Sequence, residues 1–185
     1  VSEVGFNFYC QLLEDSIDEL KQLDSGKEKT EEKETEIIVK LESHIPEQYI
    51  PNTENRVAYY QRLSQIKSIK ELHDFSASLQ DIYGPYPKEV KNLIDIINLK
   101  LKLKKLGVTQ AKITPAYFSL RYKSDSPVHK KIKEINAINN PSIKHYKRGS
   151  NIELKLLSDT GNESTQNNIL FKANQFLEKM ITGSN

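Results

Sequence analysis

At 185 residues, with 37% hydrophobic and 28% charged side chains, the chain has the make-up of one ordinary globular domain with an appendage. Its 27 basic and 25 acidic residues leave a formal charge of only +2, which excludes a general field for nucleic acid or anionic membrane; any such role needs a local patch. A single cysteine, Cys10, excludes an internal disulfide and a multi-cysteine zinc site, and no apolar run is long enough to span a bilayer.

The chain starts at Val1 without an initiator methionine, and is expected to be a piece of a longer protein. Glu3 and Asn7 interrupt the first apolar stretch, so no signal peptide is expected, and a reducing, cytoplasmic setting fits. Val4, Phe8, Leu12, Leu13, Ile17 and Leu20 recur at helical spacing and predict a helix over 3–22. The following LDSGKEKTEEKETE (23–36) has no apolar residue after Leu23 and cannot bury enough surface to offset its ordering entropy, so 24–36 is expected to be a flexible charged linker. IIVKL (37–41) is a short strand candidate with Ile37, Val39 and Leu41 on one face.

Beyond Pro51, Asn52 or Thr53 can cap a helix that runs to about residue 65. Ser68 and Glu71 form a capping box, with the carboxylate expected to reach back to the cap. The helix that it opens should bury Ile69, Leu72, Phe75, Leu79 and Ile82 and end at a left-handed Gly84. Pro87 suits the first position of the next helix, which runs to Gly107. Within it, LKLKLKKL (99–106) alternates like a strand, but Val90, Leu93, Ile94, Ile97 and Leu101 set a helical period and no breaker intervenes. VTQAKIT and AYFSLRY predict two strands around Pro115, and Ser126-Pro127 opens a short helix carrying Val128, Ile132 and Ile135. SIKHYKRGSNIELKLL reads as a hairpin around Gly149. Ser164 can cap a last helix with Ile169, Leu170, Phe176, Leu177 and Met180 inward. Helices followed by a small, mainly antiparallel sheet and a closing C-terminal helix make an α+β fold.

The search for chemistry finds little. No glycine spacing forms a phosphate loop, and the Gly26–Lys27 pair lies in the linker with no strand before it. His44, His73, His129 and His145 have no close ligand spacing, so solvated or packing roles are the commoner ones, and Cys10 on an apolar helix face reads as a small core residue. His44 and Glu47 could pair as a general base, but no nucleophile or oxyanion signature accompanies them. The strongest pattern is basic: Lys100, Lys102, Lys104 and Lys105 crowd one helix end, and Lys130, Lys131 and Lys133 another. These ammoniums could neutralise phosphates, although the first group also complements its helix dipole. Lys100, Lys102, Lys104, Lys105 and Lys130 are therefore the candidate contacts of a nucleic-acid-binding module, the alternative to a binding or regulatory domain without chemistry of its own.

VGFNFYCQLLEDSIDELK (4–21), IPEQYIPNTENRVAYYQRLS (45–64) and LQDIYGPYPKEVKNLIDIINLKLKLKKLGV (79–108) together, in this order, resemble the C-terminal region of the bacterial transcription-repair coupling factor (Mfd) family. The resemblance implies a parent that is an ATP-driven double-stranded-DNA translocase, which releases stalled RNA polymerase and recruits UvrA. ATP and magnesium would belong to an upstream motor, and this piece would hold no cofactor or metal. Residues 1–23 would be the connector helix leaving that motor, 37–181 the regulatory domain and 182–185 a tail. The domain would dock on the parent's N-terminal UvrB-like module, mask its UvrA-binding surface and restrain the motor, with UvrA, RNA polymerase and DNA as indirect partners and no membrane. Of the acidic contact residues in the family pattern ELxDRFG, only Asp81 carries over, because SLQDIYG (78–84) has Ser78 for the glutamate and Ile82 for the arginine.

Overall fold

The computed structural model describes residues 36–134, 143–157 and 165–182, with side chains of the last segment described from Ile169. The predicted helix over 3–22, Cys10, nearly all of the charged linker, Ile135, Ser164 and residues 183–185 lie outside them. In chain order the elements are β1 (Glu36–Val39), α1 (Thr53–Gln65), α2 (Ile69–Tyr83), α3 (Lys88–Leu106), β2 (Gln110–Ile113), β3 (Tyr117–Lys123), α4 (Pro127–Glu134), β4 (Ile143–Arg148), β5 (Asn151–Leu157) and α5 (Thr165–Thr182). The fold is α+β.

Among the described residues two compact units separate: 43–94, and 36–42 together with 95–182. The first is helical. Asn52 caps α1, its side chain accepting from the Asn55 N–H at 2.9 Å. The capping box at α2 forms with one change: Ser68 Oγ accepts from Glu71 N, but the Glu71 carboxylate accepts from Lys67 N at 2.9 Å, one residue before the cap. That bond is the main reason why the Glu71 carboxyl is held below its ordinary pKa. Helix α2 buries Leu72, Phe75 and Leu79, whereas Ile69 and Ile82 are 44% and 60% exposed and do not join the core. The buried three are spaced three and four residues apart on a single stripe, and the two isoleucines at the helix ends fall off its edges. Gly84 ends α2 at φ 79° and ψ −167°, a positive-φ conformation open to glycine but extended rather than left-handed helical. Helix α3 begins at Lys88, so Pro87 sits one position earlier than expected, its carbonyl accepting the first helical bond from Lys91 N.

The second unit is built on a five-stranded sheet in the order β1-β2-β3-β5-β4. Strand β1 runs parallel to β2 and the other pairs are antiparallel. The parallel pair needs its long connection, since a chain can return to a parallel partner only through a crossover. Period-two alternation sets the core face: Ala111, Ile113, Phe118, Leu120, Tyr122 and Leu154 are fully buried. Gly149 (φ 57°) makes the tight β4–β5 turn in which Arg148 opposes Asn151. Helix α5 buries Ile169, Leu170, Phe176, Leu177 and Met180, as its spacing predicts, together with Ala173.

LKLKLKKL is helical. Leu99, Leu103 and Leu106 are buried at helical spacing, while Leu101, expected inward, is only half-buried. Lys102 is 5% exposed. Its ammonium meets the Glu178 carboxylate at 2.6 Å and Asn174 Oδ1 at 3.3 Å. Asn174 in turn donates to the Asp95 carbonyl of α3 at 3.4 Å, so a polar tether ties α3 to α5. Opposite, in β3, burial pushes the Tyr122 phenol up to about 12, and its hydroxyl has no partner among the described residues. Burial, and then the charges of Lys133, Lys147 and His145, hold His129 below its usual 6.5.

Two outcomes follow for urea unfolding. Glu178→Ala leaves a buried ammonium with only the neutral Asn174 oxygens and should cost about 1–3 kcal/mol, less than for a fully buried pair because water reaches Glu178; Lys102→Met, which leaves an exposed carboxylate and a neutral amide oxygen without the ammonium, should cost clearly less. The folded state binds a proton at His129 at lower pH than the unfolded chain does, so stability should decline as pH falls through about 6.5 and level off below the folded pKa. His129→Leu should flatten that decline, and an unchanged pH profile in this variant would assign it to another group.

Candidate functional site

The segment 45–52 carries Pro46 and Pro51, which supply no backbone donor, so its order depends on what the remaining groups find. Ile45 N donates to the Tyr60 hydroxyl of α1 at 2.7 Å in a buried bond, and Ile50 is fully buried. The Tyr49 hydroxyl donates to the Gly84 carbonyl at 2.9 Å, with a longer approach to the Leu79 carbonyl at 3.4 Å. Arg56 Nη1 donates to the Ile50 and Pro51 carbonyls at 2.7 and 2.9 Å. Tyr49, Ile50 and Tyr60 thus anchor the loop on the helices, as their chemistry suggests.

Around Tyr49 the rings form a chain. Tyr49 meets Tyr83 at 5.7 Å between centroids, Tyr83 meets Tyr59 at 5.8 Å, and Tyr59 meets Phe75 at 5.9 Å, the last two edge-on. The Arg62 guanidinium lies 5.7 and 5.4 Å from the Tyr59 and Phe75 centroids. Burial, then neighbouring tyrosines, raises Tyr49; burial and a hydrogen bond with Tyr83 raise Tyr59. Both phenols stay neutral donors at ordinary pH. Ser76 Oγ and Tyr86 OH, 2.7 Å apart, tie α2 to the segment that follows it.

This framework fixes the last turn of α2 and leaves two neighbours facing out. Asp81 is exposed and has no hydrogen bond or ion pair among the described residues. Ile82 beside it is the most exposed aliphatic side chain of this unit. A carboxylate at a helix C-terminus opposes the dipole, so nothing local favours it.

Among the described residues the sequence-suggested pair His44 and Glu47 is not gathered into the recess of this unit. That shallow recess, of about 410 Å³, lies between Arg62, Gln65, Ile66, Glu71, Asp74 and Phe75. His44 is half-buried and Glu47 exposed. Among the described residues no group of three or more His, Cys, Asp or Glu could hold a metal ion, and no helix is long and apolar enough to cross a membrane.

The lysine-rich helix end is divided by the fold. Lys100, Lys104 and Lys105 are exposed, but Lys102 is consumed by Glu178 and Asn174. Lys130 is exposed and 4.0 Å from Glu134 on its own helix. Sequence reasoning missed a different basic surface, the outer face of the sheet. Its signal was available in the alternation of Lys144, Tyr146 and Arg148 along one strand.

A family model described as the TRCF domain matches residues 39–132. The chain belongs to the TRCF domain family. The TRCF chain is similar to the transcription-repair-coupling factor of Bacillus subtilis (strain 168), with 36% identity over 101 residues that take in 55% of this chain and 8% of the relative. It is 32% identical over 109 residues to that of Escherichia coli (strain K12), covering 57% of this chain and 9% of the relative. This TRCF chain therefore spans less than a tenth of the length of these curated relatives. Its fold is similar to a crystal structure of the C-terminal domain of transcription-repair coupling factor, with a TM-score of 0.64, covering 82% of this chain and 96% of that one at 16% identity.

The loop anchors are separable by mutation. Tyr60→Phe removes the acceptor of a buried N–H and should cost about 1–3 kcal/mol, whereas Tyr49→Phe loses one ordinary hydrogen bond worth about 1 kcal/mol. Urea unfolding that ranked Tyr49→Phe as the costlier change would contradict this assignment.

Proposed function

We propose that this TRCF chain is a non-catalytic regulatory domain of a transcription-repair coupling factor. In this reading it docks on the parent's N-terminal UvrB-like module, masks the UvrA-binding surface there and restrains an ATP-driven DNA translocase until polymerase and DNA engage. One observation carries the reading: Asp81 stands exposed and unpaired among the described residues, on a helix end held rigid by Tyr49, with Ile82 exposed at its side. The family membership supports the parent, and the position of Asp81 within SLQDIYG supports the contact.

The energetics suit a latch. An exposed ion pair contributes about 0.2–1 kcal/mol, so a contact built from a few of them holds without being permanent. A partner opens such a contact by its differential affinity for the open state, and each modest contact lowers the difference needed. Ser78 and Ile82 stand where the family has a glutamate and an arginine, so this latch has fewer charges and depends more heavily on Asp81.

Asp81→Arg in the full-length parent should raise basal ATPase activity and UvrA affinity severalfold. The same change in the 185-residue chain should leave its thermal unfolding midpoint nearly unmoved, because the side chain is exposed. A folded variant with wild-type ATPase and UvrA binding would remove Asp81 from the latch.

A further inference from the structure

The sheet has a second face. Strand register places Lys112, Arg121, Lys123, Lys144, Arg148 and Lys155 on the side opposite the buried apolar residues, against only Glu36 and Glu153 among the described acids. The residues of this face are exposed or half-buried, Ser119 excepted. A chain with a net charge of only +2 thus concentrates cations on one flat surface.

The arrangement is unfavourable by itself. Lys144 of β4 is directly opposite Lys155 of β5, a like-charged cross-strand pair. One end of the hairpin repeats the theme, where Asn151 lies between Lys123 on one side and Arg148 on the other. Glu153, 3.7 Å from Lys155, relieves a fraction of this repulsion. An external anion would relieve the rest.

Aromatic rings interleave with the cations. The Lys155 ammonium lies 5.0 Å from the Tyr117 centroid and 5.2 Å from that of Tyr146, and Lys112 approaches Tyr117 at 5.9 Å. Tyr146 is 52% exposed. Cations spaced along a groove or sheet with open rings between them are what a flexible strand of phosphates and unpaired bases requires, because every base has a face to stack. A duplex keeps its bases stacked inside and has no use for an exposed ring, and an acidic peptide would use the cations alone.

We infer that this open sheet face binds single-stranded nucleic acid, its lysines and arginines neutralising phosphates while a base stacks on Tyr146. Strands about 4.8 Å apart give five of them a width suited to about two or three nucleotides. The inference is independent of the Asp81 contact, which lies in the other compact unit.

Fluorescence anisotropy with a labelled oligo-dT of about 20 nucleotides tests it on the 185-residue chain. Binding should weaken with salt at a logarithmic slope of about −2, as expected for about three phosphate contacts on a single strand. The double change Lys144→Glu/Arg148→Glu, on exposed side chains of an edge strand, should lower affinity at least tenfold and flatten the slope. Tyr146→Ala should lower affinity about tenfold with the slope unchanged, and Tyr146→Phe should restore it. Lys104→Glu/Lys105→Glu, at the helix end, should bind as the wild type does. The inference is overturned by absent binding at low salt, by a duplex binding more tightly than the single strand, by polyglutamate competing as well as oligo-dT, or by the helix-end variant losing as much as the sheet variant.

Discussion

Two phenol oxygens decide whether the helical unit has a defined surface. The segment 45–52 enters between prolines and cannot rely on a regular ladder for its backbone groups. Tyr60 accepts the buried Ile45 N–H, and Tyr49 bonds the Gly84 carbonyl where α2 has already turned away. Leaving a buried N–H unpaired costs about 1–3 kcal/mol, a sizeable share of the stability of a small unit, so the first of these bonds is a condition of order rather than an ornament. The second has reach: it joins residues 35 apart in sequence and thereby fixes where α2 ends. Asp81 and Ile82 inherit their position from that constraint, although neither touches either phenol's partner in sequence.

The sheet obeys a separate constraint, the two-residue period. One set of alternate positions is given to the core, with Phe118, Leu120 and Leu154 fully buried in adjacent strands. Once that register is fixed, the alternate residues of every strand are presented together on the other side, whether or not they suit their neighbours. Lys144 against Lys155 is the visible consequence, because a slip that separated them would carry the apolar set out of the core as well. The hydrophobic face therefore holds a charged face in an arrangement that charge alone would not choose.

Most elements were legible because their signals are local. Asn52, Ser68 and Gly84 mark helix ends by side-chain and backbone chemistry that needs no tertiary context, and Gly149 does the same for the hairpin. The misses share a cause as well. Ile69 and Ile82 fit a helical stripe but lie beyond its edges, and only packing reveals where a stripe stops. Lys102 belongs to a run of lysines on paper, yet its partner Glu178 is distant in sequence, so nothing nearby distinguishes it from Lys100 or Lys104. The parallel pairing of β1 with β2 is equally non-local, since it depends on a connection that carries three helices. Asp81 was found by resemblance to a family motif, and the fold adds to that its exposure and its lack of a partner among the described residues.

The substitution beside Asp81 bears on how the proposed latch would behave. An arginine at that place would offer a charge, screened by salt over about 8 Å at physiological ionic strength. Ile82, 60% exposed, offers apolar area whose burial at about 25 cal/mol per Å² is indifferent to moderate salt. With Ser78 in place of the glutamate, the charged part of the proposed contact would reduce to Asp81 and its apolar part would grow. Such a seam would be less a row of ion pairs than a single carboxylate beside a greasy neighbour, its specificity resting on a cation that met Asp81 and its strength on whatever covered Ile82. The tyrosine-locked helix end would serve both, because the carboxylate and the isoleucine are adjacent on one turn anchored by Tyr49 and would engage or release together.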